Sequence, residues 1–198
     1  MTQVDRVLEL QLVDRLRAGD ASAFDAVHDG FNARLFNFLA RLTNRRHVAE
    51  DLLEETWLRL VTHAPRLRPD TRLGPWLFTV ARNLHVSHCR ARLLEDSFAT
   101  ALLGLWPCGA AVPSPLEAVE ATEARQRIAT ALASLPGAYR EVLLLVGVEG
   151  LRPREAAEIC GVSPEVMRQR ISRARSSLAR RLADDERVAQ AALREASI

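Results

Sequence analysis

Apolar residues recur every three or four positions along most of the chain, and the alternation of a half-buried strand is nearly absent. Residues 4–17 carry Leu8, Leu12 and Leu16 on one helical face, and Ala18-Gly19-Asp20 then stops that helix and restarts the next. Phe24, Val27, Phe31, Leu35, Phe38, Leu39 and Leu42 keep the same spacing over residues 21–42, with Gly30 a local weakness. Leu52, Leu53, Trp57 and Leu60 mark a third helix over residues 47–61. Prolines and a glycine make residues 64–75 a loop, after which residues 76–93 read as a helix again. The pattern predicts an all-α protein.

The character changes at residue 94. Gly104, Pro107, Gly109, Pro113 and Pro115 interrupt any period, and no basic residue lies between Arg92 and Arg125. Glu95, Asp96, Glu117, Glu120 and Glu123 make the gap acidic, which predicts a flexible linker over residues 94–122. Its segment Ala101 to Cys108, ALLGLWPC, is apolar for a tether. It reads either as a short helix docked on a neighbouring domain or as a partner-binding segment. Helical spacing resumes over residues 123–135 and 136–148, where Gly150 ends it, and a short helix over residues 152–162 closes at Gly161. Ser163 is then a natural N-cap, and Pro164 sits at the first helical position, where its missing N–H costs nothing. The predicted organisation is two small helical domains, 1–93 and 123–183, joined by that linker and followed by a tail, 184–198.

Charge adds a location to this outline. The whole chain of 198 residues is close to neutral, at +2, and every one of its 27 basic residues is arginine. Residues 163–182, however, hold Arg168, Arg170, Arg173, Arg175, Arg180 and Arg181 against the single acid Glu165. On a wheel of about 100° per residue with Met167 as zero, Ile171, Ala174, Leu178 and Leu182 fall within roughly 60° of it. The opposite face presents Glu165, Gln169, Ser172, Arg173, Ser176 and Arg180, with Arg168 and Arg175 on its shoulder. Arg170 and Arg181 lie at the edge of the seam, where they would snorkel outward. One internal acid cannot neutralise this face through salt bridges one turn apart, so an external anion is the better partner. A small residue at Ala157, glycine at the corner and apolar Val162 and Met167 on either side form a helix-turn-helix pattern. Its second helix would lay Arg168, Gln169, Ser172, Arg173 and Arg175 against DNA, since an arginine fork bonds both guanine and phosphate.

Other chemistries find less support. Cys89, Cys108 and Cys160 are few and far apart, unlike a disulfide framework or a zinc pair, and fit a reducing compartment. His85, His88 and Cys89 share a helix face, but no fourth ligand is near, so no metal site is predicted. Glu50, Asp51, Glu54 and Glu55 lack an accompanying nucleophile or pocket-forming glycines, and neither an enzyme nor a cofactor is predicted. With no signal-peptide pattern and no run approaching membrane-spanning length, a cytoplasmic protein that does not insert into membranes is expected.

Residues 134–182, SLPGAYREVLLLVGVEGLRPREAAEICGVSPEVMRQRISRARSSLARRL, resemble the C-terminal promoter-binding domain of sigma-70 family RNA polymerase sigma factors, specifically the extracytoplasmic-function (ECF) group. The resemblance rests on Leu135, Pro136 and Arg140, on Glu149-Gly150-Leu151, and on Arg170, Arg173–Arg175 and Leu178. In the first half, AEDLLEETWLRL is similar to the family's polymerase-docking helix and WLFTVARN to the start of its promoter-melting helix. The order is right from about residue 10 to residue 182. The family commonly has Gly-Thr where this chain has Glu165-Val166, and Gln where it has Glu54, and the loop before Trp76 diverges.

The resemblance implies a transcription initiation factor without a small-molecule substrate. Asp51, Leu52, Glu54, Glu55 and Trp57 would dock on the β′ clamp of core RNA polymerase, and the second domain would meet the β flap. Arg66, Arg68, Arg72, Trp76, Arg82 and Asn83 would face the −10 element of promoter DNA, and the arginine helix the −35 element. An anti-sigma factor would be a further partner. The alternative is a response-regulator type of helix-turn-helix protein, which binds duplex DNA without polymerase.

Overall fold

This computed structural model describes residues 3–103 and 123–195, with side chains described for residues 6–92, 125–184 and 187. All regular structure among the described residues is helical. The helices are α1 (Gln3–Arg17), α2 (Ala21–Thr43), α3 (Arg46–His63), α4 (Leu73–Leu103), α5 (Glu123–Ala133), α6 (Gly137–Leu143), α7 (Pro153–Cys160) and α8 (Pro164–Glu195). The chain divides into two compact units, Met1–Gly109 and Ala110–Ile198.

In the first unit α2, α3 and α4 pack on one another, and α1 packs on α2 and on the short 3₁₀ turn Ala64–Arg66 that follows α3. Leu35, Phe38 and Leu39 of α2 meet Leu60 of α3 and Leu73, Leu77 and Phe78 of α4 in a core that excludes water. Phe38 and Phe78 meet edge to face, with ring centres 5.3 Å apart, a geometry the ring quadrupole favours. Asp20 caps α2 by accepting from the Ser22 N–H at 2.9 Å. The Arg15 guanidinium at 2.8 Å, helped by Ser22, holds its carboxyl down from 3.8 to about 2. At the other end Asn44 takes a left-handed φ of 53° and returns its N–H to the Ala40 carbonyl, the geometry of a C-terminal αL stop.

Two expectations need correction here. Leu8 is 55% exposed, whereas Val13 and Leu16 are buried. Residues spaced by four drift about 40° per step around a helix, so burial follows the Val13–Leu16 pair rather than the Leu8–Leu16 line. Furthermore, α4 starts at Leu73 and continues past residue 93 to Leu103. The fall in basic charge after Arg92 suggested a boundary, but no helix breaker occurs before Gly104. Residues 104–108 of the apolar segment and the rest of the predicted linker up to 122 lie outside the described residues.

In the second unit α8 is the spine, contacted by α5, α6 and α7. Arg140 of α6 reaches back to the end of α5, donating to the carbonyls of Leu132 and Leu135 at 3.1 Å each and to that of Ala133. A helix C-terminus leaves its last carbonyls short of partners; Leu132 O also accepts the Leu135 N–H at 3.1 Å, and burial pulls the guanidinium below its ordinary pKa. The α6 helix widens into one π turn, Leu144–Val148, with Glu149 N–H donating to Leu144 O at 2.9 Å. Gly150 then turns the chain at a φ of 67°. Glu155 accepts from the Arg152 N–H at 2.8 Å and closes the start of α7.

Candidate nucleic-acid interface

Gly161 ends α7 with a φ of 64°, and Val162 N–H returns to Ala157 O at 3.0 Å. Ala157 is buried on a helix that packs against α8, where a larger side chain would have little room. Ser163 begins the next helix, its Oγ accepting from Val166 N–H at 3.3 Å. Met167, Ile171 and Ala174 are buried and Leu178 and Leu182 half-buried, so the thin apolar seam lies against the unit as the wheel requires.

The opposite face is open. Arg168, Gln169, Ser172, Arg173 and Arg175 are all exposed, as are Ser176 and Arg180, while Arg170 at the seam edge is half-buried. Arg168, Ser172 and Arg175 share one wall of an open cleft of ≈ 420 Å³, with Val146 and Pro153 across from them. Gln169 and Arg173 lie further round the same helix, so the candidate residues cover two flanks of one rod. Glu165 sits in the first turn, 3.2 Å from Arg168. A backbone hydrogen bond in its own turn, the Ser163 hydroxyl and Arg168 keep its carboxyl below the usual range, hence ionised near neutrality. Val166 beside it is 40% exposed. A helix-turn-helix whose second helix offers guanidinium and amide groups to solvent defines a DNA-binding module.

The first unit gathers its candidates differently. Arg66 and Arg68 are exposed on the loop before α4, Arg72 and Trp76 are half-buried where α4 starts, and Arg82 and exposed Asn83 lie further along it. Arg68 is held by the Asp70 carboxylate at 3.1 and 3.3 Å, and Arg82 donates to Asn83 Oδ1 at 3.3 Å. Trp76 tilts toward His63 at 6.5 Å, whereas Phe78 is wholly buried.

The α3 edge departs from expectation at two residues. Asp51 and Glu54 are exposed and Glu55 is half-buried, paired with Arg59 at 2.7 Å. Leu52 and Trp57, however, are only 8% exposed each. The Trp57 indole N–H donates to Asn32 Oδ1 at 3.0 Å, and its ring packs on Phe24 and His28. They support α3 from inside and form no part of its outer edge. The exposed apolar residues of that helix are instead Leu58 and Val61, 59% and 56% exposed. Their spacing of four and seven from Glu54 places all three on one face, a signal available in the sequence but masked by the stronger Leu53–Trp57–Leu60 stripe. His85 and Cys89 approach to 3.6 Å, and no group of three or more metal-ligating side chains forms among the described residues. No helix there is long and apolar enough to cross a membrane.

Sequence comparison narrows the class. The family profile for Sigma-70 region 2 matches residues 29–95, and that for Sigma-70, region 4 matches residues 125–178. The chain is 32% identical over 154 residues to the ECF RNA polymerase sigma factor SigM of Bacillus subtilis, covering 78% of this chain and 91% of that protein. It is 35% identical over 146 residues to the ECF sigma factor EcfG of Rhodopseudomonas palustris, covering 71% and 75%. In fold it is similar to RpoE of Bartonella quintana, solved in complex with the anti-sigma factor NepR, with a TM-score of 0.62, 25% identity and 92% and 98% of the two chains covered. The chain belongs to the ECF group of sigma-70 family RNA polymerase sigma factors. It is a transcription initiation factor that directs RNA polymerase to promoters.

Proposed function

We propose a division of that work between the two units. The second unit reads the −35 element with Arg168, Gln169, Ser172, Arg173 and Arg175. The first reads and opens the −10 element with Arg66, Arg68, Arg72, Trp76, Arg82 and Asn83. Core polymerase docks on the first unit through Asp51, Glu54 and Glu55, with Leu58 and Val61 continuing the strip and Leu52 and Trp57 bracing it from beneath. An acidic edge with a few exposed apolar side chains suits a basic helical partner on the β′ clamp. The β flap would engage the second unit, and an anti-sigma factor would compete for these surfaces, as the Bartonella complex suggests by analogy. The chain would work in the cytoplasm and carry out no catalytic chemistry of its own.

The observation that carries this reading is the outward guanidinium face over residues 168–180 of α8, set opposite a buried seam, where Glu165 is the single acid of residues 163–182. The test is runoff transcription and promoter binding, each with and without core polymerase. Start-site-specific transcripts that require both proteins are expected. Tight, sequence-specific duplex binding by the chain alone would instead contradict this division, in which core polymerase brings the two units onto one promoter.

A further inference from the structure

The basic loop ahead of α4 is held by a helix from the far end of the unit. Arg6 of α1 donates through Nη2 to the Asp70 carbonyl at 2.7 Å and through Nη1 to the Thr71 carbonyl at 3.3 Å. The same Nη1 is paired with Glu9. Glu9 in turn accepts the Leu73 N–H on Oε1 at 2.8 Å. Both side chains are largely sheltered, 27% and 15% exposed. Leu73 is the first residue of α4, so its N–H is one of the donors that a helix cannot satisfy internally. Glu9 therefore caps α4 from a different helix, and a carboxylate at that end also suits the helix dipole.

Two neighbouring carbonyls and the first N–H of α4 are thus fixed by one arginine–glutamate pair. The hold passes on to the side chains that matter. Asp70, whose carbonyl is gripped, uses its carboxylate to hold Arg68, and Trp76 N–H donates to Arg72 O at 3.0 Å. A surface loop left to itself samples many conformations. Unstacked bases must be met by donors and rings fixed in place, because order imposed on binding subtracts from affinity.

We infer that Arg6 and Glu9 are positioning residues for promoter opening: they lock the backbone of residues 70–73 so that Arg68, Arg72 and Trp76 meet the DNA strand in one arrangement. This rests on the reading that the loop and the start of α4 face the −10 element. Neither residue touches DNA in this account.

The test uses the full chain with core polymerase, a promoter duplex carrying 2-aminopurine in the −10 region, and the same promoter pre-opened by mismatches. Arg6→Ala and Glu9→Ala should each slow opening of the duplex by about tenfold or more, the loss typical of a broken hydrogen bond to a charged group. Core affinity should stay at the wild-type level, and the pre-opened template should recover most of the loss. Glu9→Gln keeps one oxygen for the Leu73 N–H but turns an amide NH2 toward Arg6 in place of the second carboxylate oxygen, so its loss should be smaller than that of Glu9→Ala. The exchange Arg6→Glu with Glu9→Arg preserves an ion pair on α1 but offers no acceptor to Leu73, so it should remain defective.

Wild-type opening by Glu9→Ala alongside a defective Arg68→Ala would overturn the clamp and leave the loop reading intact. Wild-type opening by Arg68→Ala and Trp76→Ala would overturn the loop reading itself. Parallel loss of core affinity and melting temperature in Glu9→Ala, Glu9→Gln and the exchanged pair would make these residues structural only, and would equally overturn the proposal.

Discussion

The two units present arginine to solvent by opposite means. In the second, one helix does everything: its seam fixes the rotation of the rod, and Arg168, Arg173 and Arg175 point outward because of where they fall in the period. In the first, arginines sit on an irregular loop whose shape depends on Asp70 and on Arg6 and Glu9 far upstream. A helix carries its own geometry, whereas a loop borrows one. That difference separates what local spacing can predict from what only the folded chain displays.

The comparison can be broken most sharply from inside the first unit. Phe78→Ala removes a fully buried ring from its contact with Phe38 and should cost about 3–5 kcal/mol. Thermal melts of the first unit expressed separately and of the full chain should show that unit's transition displaced downward, with the second unit's unchanged. Next comes Arg140, an arginine that works inward. Its replacement by Ala takes the side-chain donor from the carbonyls of Leu132, Ala133 and Leu135, of which Leu132 O keeps the Leu135 N–H at 3.1 Å, and should cost roughly 2–3 kcal/mol. A denaturant titration checks this, and an unchanged midpoint would show that water satisfies those carbonyls equally well.

For arginines that work outward, the effect should appear in binding and not in folding. Arg173→Ala should weaken promoter recognition by about 1–3 kcal/mol and leave the melting temperature alone. Its exposed counterpart Arg187, paired with Asp184 beyond the helix-turn-helix, should show almost no loss in the same runoff assay. Equal losses would contradict the assignment of the recognition face.

The smallest effect concerns Asp20 and its dependence on pH. Its pKa is depressed from 3.8 to about 2 by Arg15 and Ser22. A depressed carboxyl stabilises the fold above its unfolded pKa, and the contribution disappears as pH falls through the folded value. Asp20→Asn should therefore melt slightly below wild type at neutral pH, and the two curves should converge between about pH 4 and pH 2. A difference that persisted at pH 2 would mean that the cap works without its charge.

Much of the second unit was legible from residues 150–182 alone. Gly161 at the corner, Ser163 and Pro164 at the helix start and the Met167–Ile171–Ala174 seam are all local signals, and the structure shows each in the expected role. The family assignment likewise followed from motifs in order. The first unit yielded less. Phe38 was readable as core from its spacing, but Leu52 and Trp57 were expected on the docking edge because motif membership says nothing about which way a side chain faces. Leu8 misled because a leucine spacing of four is only approximately helical. The Arg6–Glu9 hold on the loop has no local signature, since its partners are 64 and 65 residues away.

The bend at Gly161 sets the aim of everything beyond it. Arg175 lies eleven residues beyond Pro164, where the next helix starts, about 16 Å along a helix, so a swing of about 10° at the corner would carry its tip by about 3 Å, more than a hydrogen bond tolerates. An added methyl group there would meet no neighbour within 4 Å, yet it would strain a backbone at a φ of 64°. A protein with Ala at this one joint could keep every arginine, fold well and still misread its promoters, because the contacts would arrive at the wrong bases.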